Sequence, residues 1–417
     1  MTSNYKKIGN YIRLVDVRNR NLDVHNLLGL SIDKVFIPSV ANTIGTNMAN
    51  YKIIKKGQFA CSLMQVRRDK KIPVALQKDF DEAIISQAYP VFEVIDPKLL
   101  DPEYLMMWMS RSEFDRQSCF HAVGGVRGSL EWNDFCDMTL PIPSIEKQRE
   151  IVREYNVVND RIALNEKLTQ KLEETAQAIY KQWFVDFEFP ISKEYADSIG
   201  KPELEGKPYK SSGGGMGYSK QLEKDIPKMW EAIPIQSFTK QMQSGGTPQR
   251  DNKEYWNSND VPWIKTGEVA NCVIIKSEEY ISQRGLSESS AKIYPVDTVL
   301  IAMYGDGKTK GQVGYLRIES ASNQACCAMQ CNNPYDASFL FYYLRFNYRN
   351  IIRSAIGGAQ ENLSKKLIQN LCILNVEKKL INKLPFLNFI DCSEIYAKEN
   401  VHLESLRSTI LQKISQN

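Results

Sequence analysis

The stretch PIPSIEKQREIVREYNVVNDRIALNEKLTQKLEETAQAIYKQWFVDFEFP, residues 141–190, decides how this chain is organised. Ser144 is a suitable helix N-cap, and no Gly or Pro follows until Pro190. About forty residues at ~1.5 Å each predict a helical rod of roughly 60 Å. Apolar residues recur every three or four positions, with one polar interruption at Asn165. They are Ile151, Tyr155, Val158, Ile162, Leu168, Leu172, Ala176, Ile179 and Trp183. The pattern is typical of a coiled-coil helix, which needs a partner helix to cover its stripe.

The end of the chain supplies a candidate partner, a distal helix predicted over 375–417. Two rods of similar length in one chain would pair antiparallel most simply. Asn165 and Asn400 either fix the register of the seam between them or are ordinary surface residues. Pro385 lacks an N–H, so it should kink the distal helix or mark a fresh start. The distal stripe comprises Phe386, Phe389, Cys392, Tyr396, Leu403, Leu406, Ile410 and Ile414.

Composition sets only broad bounds. A chain of 417 residues with 43% hydrophobic and 24% charged residues is typical of a globular protein of two or three domains. No run of 18 apolar residues and no signal peptide is evident, so we expect a cytoplasmic protein. Nine cysteines without CxxC spacing and three distant histidines predict reduced core thiols and no metal site. A net charge of +4 does not by itself indicate nucleic-acid binding.

Local character divides the chain into five segments. Alternating apolar stretches predict a mixed α/β unit at the start, and a second globular unit follows later. Between them, a stretch rich in Gly, Pro, Ser and Lys lacks apolar periodicity and predicts a linker or a loosely packed loop. The predicted segments are a first globule at 1–143, a central helix at 144–186, a linker at 187–230, a second globule at 231–374 and the distal helix at 375–417.

The second half of the sequence repeats the first. Short matches occur in the same order, at an offset that falls from 240 to 231 residues, and they fail before Lys52. We therefore predict two copies of globule plus helix with a pseudo-two-fold axis, one globule at each end of the rod pair. The matches are Lys52-Ile53 with Lys292-Ile293, Ser86-Gln87-Ala88 with Asn323-Gln324-Ala325, Asp101 with Asp336, Gly124-Gly125 with Gly357-Gly358, Leu140 with Ile373, and Leu172-Glu173 with Leu403-Glu404.

Several motifs together resemble the specificity subunit of Type I restriction-modification systems. They are PIPSIEKQREIV (141–152), the helix 164–190, GKPYKSSGGGM (206–216), SGGTPQR…EYW…VPWIKTGEV (244–269) and GGAQENLSKKLIQNL (357–371), and they cover nearly the whole chain. The resemblance implies an α/β (α+β) fold, with two target-recognition domains separated by two long antiparallel coiled-coil helices. It also implies that each domain reads half of a split double-stranded DNA site, and that the helices dock two methyltransferase subunits. The distal copy departs from the family in lacking the Pro-rich lead-in to its helix.

No motif predicts catalysis by this chain. Asn332-Asn333-Pro334-Tyr335 is similar to the Asn-Pro-Pro-Tyr loop of adenine methyltransferases, but it lacks the doubled proline and we expect a turn. A phosphate-binding GxxxxGK[ST] loop is absent. The resemblance therefore implies no cofactor in this chain. S-adenosylmethionine would bind the partner methyltransferase subunits, and ATP and Mg would bind two partner restriction subunits.

Charge is concentrated where DNA contact would be useful. Between Lys52 and Lys78 there are eight cations and one acid, and VRRDKK (66–71) is predicted to be a loop between two strands. Lys308 and Lys310 fall at the matching place in the second copy. Such residues neutralise phosphates, and Arg also binds guanine bidentately. The alternative is a solvated hairpin tip. From these segments we predict DNA binding by Arg67, Arg68, Lys70, Lys71, Lys308 and Lys310.

Two Gly-Gly segments, followed by Val126-Arg127 and Ala359-Gln360, are the second candidate contacts. Glycine permits close backbone approach, and Arg127 and Gln360 offer forked groups to base edges. The alternative is a turn that needs positive φ. Two other functions compete with DNA reading: a coiled-coil scaffold without DNA affinity, and a self-sufficient adenine methyltransferase. The paired basic segments favour DNA reading over the scaffold, and binding of the methyl donor by the chain alone would distinguish the methyltransferase.

Overall fold

The computed structural model describes residues 5–39, 46–124, 128–305, 309–356 and 362–414. The chain divides into two compact units. The first consists of Met1–Ile162 with His402–Asn417, and the second of Ala163–Val401.

Among the residues that the structure describes, the first unit begins with ten strands and four α-helices, and the helix α5 (Ile145–Phe184) starts in it. The strands are β1 Tyr5–Lys7, β2 Ile12–Val15, β3 Leu27–Leu30, β4 Phe36–Pro38, β5 Lys52–Lys55, β6 Phe59–Cys61, β7 Val74–Leu76, β8 Glu82–Ile85, β9 Val91–Val94 and β10 Thr139–Pro141. The helices before α5 are α1 Val66–Asp69, α2 Pro102–Met109, α3 Ser112–His121 and α4 Trp132–Asp137.

Two four-stranded sheets, β2-β9-β6-β7 and β4-β3-β8-β5, form the body of the first unit, and β1 pairs with β10. The rings of Phe59 and Phe92 stack with centroids 4.9 Å apart. The same core includes Ile151 and Val158 of α5 and Ile410 from the end of the chain. The apolar stripe of the central helix is therefore covered here by its own domain and by the distal helix.

Over its described residues, the second unit contains twelve strands and eight α-helices, the last of which continues into the first unit. The strands are β11 Met216–Ser219, β12 Lys224–Pro227, β13 Glu231–Pro234, β14 Gln241–Ser244, β15 Val261–Ile264, β16 Cys272–Ile274, β17 Glu279–Ile281, β18 Val299–Ala302, β19 Val313–Leu316, β20 Ala321–Ser322, β21 Cys326–Gln330 and β22 Cys372–Asn375. The helices are α6 Lys193–Ser198, α7 Ile235–Phe238, α8 Gln283–Ser287, α9 Pro334–Phe346, α10 Tyr348–Ile356, α11 Lys365–Asn370, α12 Lys378–Lys383 and α13 Phe386–Lys413.

Its sheets are β14-β21-β18-β19-β16 and β17-β15-β20, and β13 pairs with β22. The expectation of a loosely packed linker at 187–230 is wrong. This segment contains α6 and the β11–β12 hairpin, and Phe189 stacks on Trp230 at 4.4 Å and on Tyr209 at 4.7 Å. Buried aromatic contacts pack this segment against the second unit. Its Gly and Pro content gives no apolar periodicity, so the sequence pattern did not predict this packing.

The predicted caps and breaks of the long helices are confirmed. The backbone N–H of Lys147 donates to Ser144 Oγ at 3.3 Å. On the distal side the helical run stops after Lys383, and α13 begins afresh immediately after Pro385. A proline in that place cannot donate the hydrogen bond that a continuous helix needs.

The helices pair antiparallel. In the second unit Asn165 of α5 contacts Asn400 of α13, with Nδ2 to Oδ1 at 2.8 Å. In the first unit Arg407 Nη1 lies 3.4 Å from Asn159 Oδ1. Residue numbers therefore decrease along α5 as they increase along α13, which is an antiparallel pairing. Asn165 is fully buried, so it belongs to the seam and not to the surface.

Strand register confirms the internal repeat. Phe59 pairs with Phe92 in the first unit, and Val299 pairs with Met329 in the second. These pairs correspond at the offsets of 240 and 237 that the sequence matches gave. The pair Ile54–Ala83 recurs likewise as the bridge Tyr294–Ser320.

The repeat also extends before Lys52, where no sequence match was found, because β1–β10 recurs as β13–β22 and β2–β9 as β14–β21. One match needs correction. Asp101 caps α2, but the corresponding cap of α9 is Asn333, and Asp336 lies inside that helix. The predicted fold class, two α/β domains and two long antiparallel helices in an internal repeat, is confirmed.

Candidate nucleic-acid interface

The basic segment of the first unit lies where the strands of the sheet β2-β9-β6-β7 end, at one rim of the sheet. Strand β6 ends at Cys61 and β7 begins at Val74, so residues 62–73 connect the two strands. The turn between β8 and β9 reaches the same edge, because Cys61 N–H donates to the carbonyl of Pro90 at 3.1 Å. Leu130 N–H donates to the carbonyl of Leu63 at 2.9 Å, which brings the Gly-Gly segment there as well. We call residues 62–73, 86–90 and 122–130, as far as they are described, the first edge.

Arg67 ties the two predicted contact segments together. Its Nη1 lies 3.2 Å from the carbonyl oxygen of Gly124, and its Nε lies 3.5 Å from that of Cys119. A Cβ on Gly128 would approach the Arg67 stem to 2.7 Å, and Gly128 has φ of +37°. Arg67 is therefore a packing residue as well as an exposed cation.

The next three cations differ in their availability. VRRDKK was expected to be a loop, but residues 66–69 form the single helical turn α1, which ends at Lys70 with a φ of 54°. Arg68 Nε lies 2.7 Å from Asp69 Oδ1. That hydrogen bond raises the pKa of Arg68 and lowers the pKa of Asp69. Lys71 lies 3.8 Å from Asp33. Lys70 is exposed and forms no ion pair with any other described residue.

The second unit builds the same kind of edge. Strand β18 ends at Ala302 and β19 begins at Val313, so the segment holding Lys310 leaves the sheet at the place that corresponds to Lys70. The amide of Leu363 donates to the carbonyl of Met303 at 3.1 Å, which repeats the Leu130–Leu63 bond. We call residues 244–247, 303–312, 323–325 and 362–363, as far as they are described, the second edge. Lys310 is half-buried there.

Three predicted contact residues, Arg127, Lys308 and Gln360, lie outside the described residues. The structure therefore brings Arg67, Arg68, Lys70 and Lys71 to the first edge and Lys310 to the second. Gly124 has a φ of +100°, which supports a turn at that position.

The SGGTP segment at the second edge is a structural turn. A Cβ on Gly245 would lie 2.1 Å from the carbonyl oxygen of Asn323, and one on Gly246 would lie 2.3 Å from Ser290. Only glycine tolerates such approaches. The indole Nε1 of Trp263 donates to Gly246 O at 2.9 Å and fixes the turn against the core.

Exposed apolar side chains at and beside the two edges had no signal in the sequence. Met64 and Tyr304, which follow matched residues of the two copies, are both exposed. The Phe120 side chain is 81% exposed beside Cys119, whose carbonyl Arg67 contacts. A large exposed aromatic side chain next to cations is a common contact for bases. The spacing of apolar residues in the sequence did not single out Phe120. Its exposure depends on its place in the last turn of α3, which the structure shows.

Comparison with known proteins places this arrangement in a family. The model of the Type I restriction modification DNA specificity domain matches residues 21–174 and again 227–374. The chain belongs to the family of Type I restriction-modification DNA specificity subunits. The two segments that match the family model coincide with the two copies that strand register reveals. Membership in a DNA specificity family favours DNA reading and not the coiled-coil scaffold as the function of the chain.

Individual relatives agree. The specificity subunit of the Type I restriction enzyme HindI of Haemophilus influenzae is 23% identical over 407 residues, which cover 87% of this chain and 86% of that protein. The MjaIX specificity subunit of Methanocaldococcus jannaschii is 22% identical over 261 residues, 62% of this chain and 55% of that protein. The crystal structure of the Type I S subunit from M. genitalium has a similar fold, with a TM-score of 0.57 at 14% identity, covering 99% of this chain and 95% of that one.

Among the described residues, none of the helices has both the length and the apolar character that crossing a membrane requires.

Proposed function

We propose that this specificity subunit reads a bipartite DNA site, with one half-site at each edge, and that it catalyses nothing itself. The observation that carries the proposal is the recurrence of one arrangement in both units. In each, a cationic connection between two adjacent antiparallel strands, β6–β7 or β18–β19, is hydrogen-bonded to the segment after a Gly-Gly pair, through Leu130–Leu63 and Leu363–Met303. Cations at matched places can neutralise phosphates in both half-sites. Because the copies differ at most polar positions, each should read a different sequence.

The proposed partners are methyltransferase and restriction subunits. The outer faces of α5 and α13 would dock two adenine methyltransferase subunits, which would supply S-adenosylmethionine and hold the flipped base. Two restriction subunits would bring ATP and Mg, and the assembly would act in the cytoplasm. A paired helix of fixed length would set a fixed gap between the half-sites.

A self-sufficient methyltransferase is disfavoured by the hydrogen bonds that Asn333 forms at the start of α9. Its Oδ1 accepts from Asp336 N–H at 2.9 Å, and its Nδ2 donates to Asp336 Oδ2 at 2.8 Å. Asn333 therefore caps α9, where a turn was expected, and it stands in place of the loop's first proline. Pro334 and Tyr335 begin the helix, so this segment is a capped helix start and not a substrate-holding loop.

The deciding experiment is co-purification from the native host, with mass spectrometry of the recovered proteins and methylome sequencing of the host DNA. We expect about two adenine methyltransferase chains for each specificity subunit and a split motif methylated on adenine. Recovery of the chain without a methyltransferase would overturn the proposal. So would a methylome that keeps every motif after the gene for this chain is deleted. Binding of S-adenosylmethionine by the purified chain would instead support the self-sufficient enzyme.

A further inference from the structure

Gln87 and Gln324 occupy the same place in the two copies. Gln87 lies in the turn between β8 and β9, where Tyr89 N–H donates to Ser86 O at 3.1 Å. Gln324 lies in the turn between β20 and β21, where Cys326 N–H donates to Asn323 O at 3.1 Å. Both the residues and the bonds correspond at an offset of 237, the offset of the neighbouring strand pairs. The repeat therefore places one glutamine at the tip of each turn.

Both turns belong to the edges that carry the cations. Pro90 accepts a hydrogen bond from Cys61, immediately before the basic segment of the first unit. The carbonyl of Ala325 accepts one at 2.7 Å from Met303, which begins the corresponding segment of the second unit. Both glutamine side chains are exposed. A DNA backbone neutralised by these cations would therefore lie close to both amides.

The turns do not need the glutamine side chains for their own stability. Each is closed by the backbone bond given above, and within the described residues the Gln87 amide has no hydrogen-bond partner. Gln324 differs in one respect, because its Oε1 accepts a hydrogen bond from Thr247 Oγ1. That bond orients the amide and leaves its Nε2 group to donate elsewhere, and Oε1 retains a second lone pair.

We propose that Gln87 and Gln324 each recognise an adenine, at the corresponding position of the two half-sites. The proposal rests on the proposed function and deepens it. A glutamine amide matches the major-groove edge of adenine, since Nε2 donates to N7 while Oε1 accepts from the N6 amino group. The adenine read in this way is not the one that becomes methylated, because a flipped base has left the groove. Thr247 positions Gln324, and the first edge has no equivalent for Gln87 among its described residues.

The test exchanges Gln for Glu, which is nearly the same size but can only accept hydrogen bonds. Glutamate suits the amino group of cytosine, not the donor and acceptor pair of adenine. The complex with its methyltransferase subunits would carry Gln87→Glu, Gln324→Glu or the control Gln236→Glu. Gln236 is also exposed, but it lies in α7 before β14, whose far end forms the second edge. Methylome sequencing of a strain expressing each complex would read out the half-sites separately.

We expect Gln324→Glu to change one position of the second half-site from adenine toward cytosine, with a roughly tenfold to hundredfold loss on the original site. The first half-site should stay intact, and Gln87→Glu should give the mirror result. Thr247→Val should weaken discrimination in the second half-site alone. Unchanged motifs in both Glu variants, with a normal wild-type split motif, would overturn the inference and leave the proposed function standing. A wild-type strain without any split motif would instead defeat the proposed function.

Discussion

The side-chain amide of Asn165 donates a hydrogen bond of 2.8 Å to the side-chain oxygen of Asn400, inside the seam between the two long helices. Its Nδ2 also lies 3.0 Å from Glu399 Oε2, whereas Asn165 Oδ1 is buried without a partner among the described residues. A polar group that is only partly satisfied costs stability, and its benefit is that only one alignment of the helices pairs it.

Asn165→Leu should therefore lower the thermal unfolding temperature, because Asn400 loses its buried partner at a cost of about 1–3 kcal/mol. The double variant Asn165→Leu, Asn400→Leu should recover most of that loss, since neither amide then remains. A thermal double-variant cycle measures the coupling. Additive effects of the two substitutions would show that the pair does not interact across the seam.

The spacer can be shortened without touching either edge. Removing seven residues, about two turns, from each of α5 and α13 shortens the pair by roughly 10 Å, or about three base-pair steps. Methylome mapping should show a shorter gap between unchanged half-sites. A gap that stays the same would mean that the helices do not set the spacing.

Asp69 restrains the cation beside it, because Arg68 Nε lies 2.7 Å from its carboxylate. Asp69→Asn removes that charge and should tighten DNA binding several-fold at low salt. Lys70→Ala should weaken binding to all sequences and reduce the slope of log K against log salt by about 0.9. Fluorescence anisotropy over a salt series checks both. Lys201→Ala, an exposed lysine outside both edges, is the control, and an equal effect there would rule out a local contact.

Arg317 holds the second domain to the distal helix. It contacts Asp297 at 3.0 Å, Glu394 of α13 at 3.2 Å, and Asp391 of the same helix. Its side chain is 14% exposed. Arg317→Met removes the cation that the three carboxylates share, although Glu394 keeps its pair with Lys398, and we expect a loss of about 2–4 kcal/mol. Hydrogen exchange should rise over 386–401. Lys379→Met, which breaks the exposed pair with Glu194, should change neither quantity.

Acid should weaken the first domain through Glu93. A hydrogen bond from Gln58 Nε2 at 2.8 Å, together with Arg13, lowers the pKa of the Glu93 carboxyl below its usual value. The stabilisation is therefore present above the unfolded pKa and is lost as the pH falls through the folded one. Glu93→Gln should flatten this part of the pH dependence of unfolding below about pH 4.5. A profile as steep as that of the wild type would mean that other carboxylates account for it.

The sequence by itself determined the helices, their caps and the repeat. Ser144, the break at Pro385 and the apolar stripes act through local backbone chemistry and periodicity, which are readable from neighbouring residues. The repeat was visible only where identical residues survived. Before Lys52 the strand pairs recur at offsets that shift by several residues, and backbone hydrogen bonds preserve a register without preserving side chains.

Only the tertiary structure decided which residues meet at the two edges. The burial of Phe189, Tyr209 and Trp230 turned an expected linker into a packed element, because long-range aromatic contacts have no period along the chain. Leu63 and Leu130, or Gln324 and Thr247, are far apart in sequence and are joined by sheet pairing and turn closure. Sequence spacing could identify a basic segment in each copy. The surroundings of each side chain, which decide what it can bind, depend on contacts between distant parts of the chain.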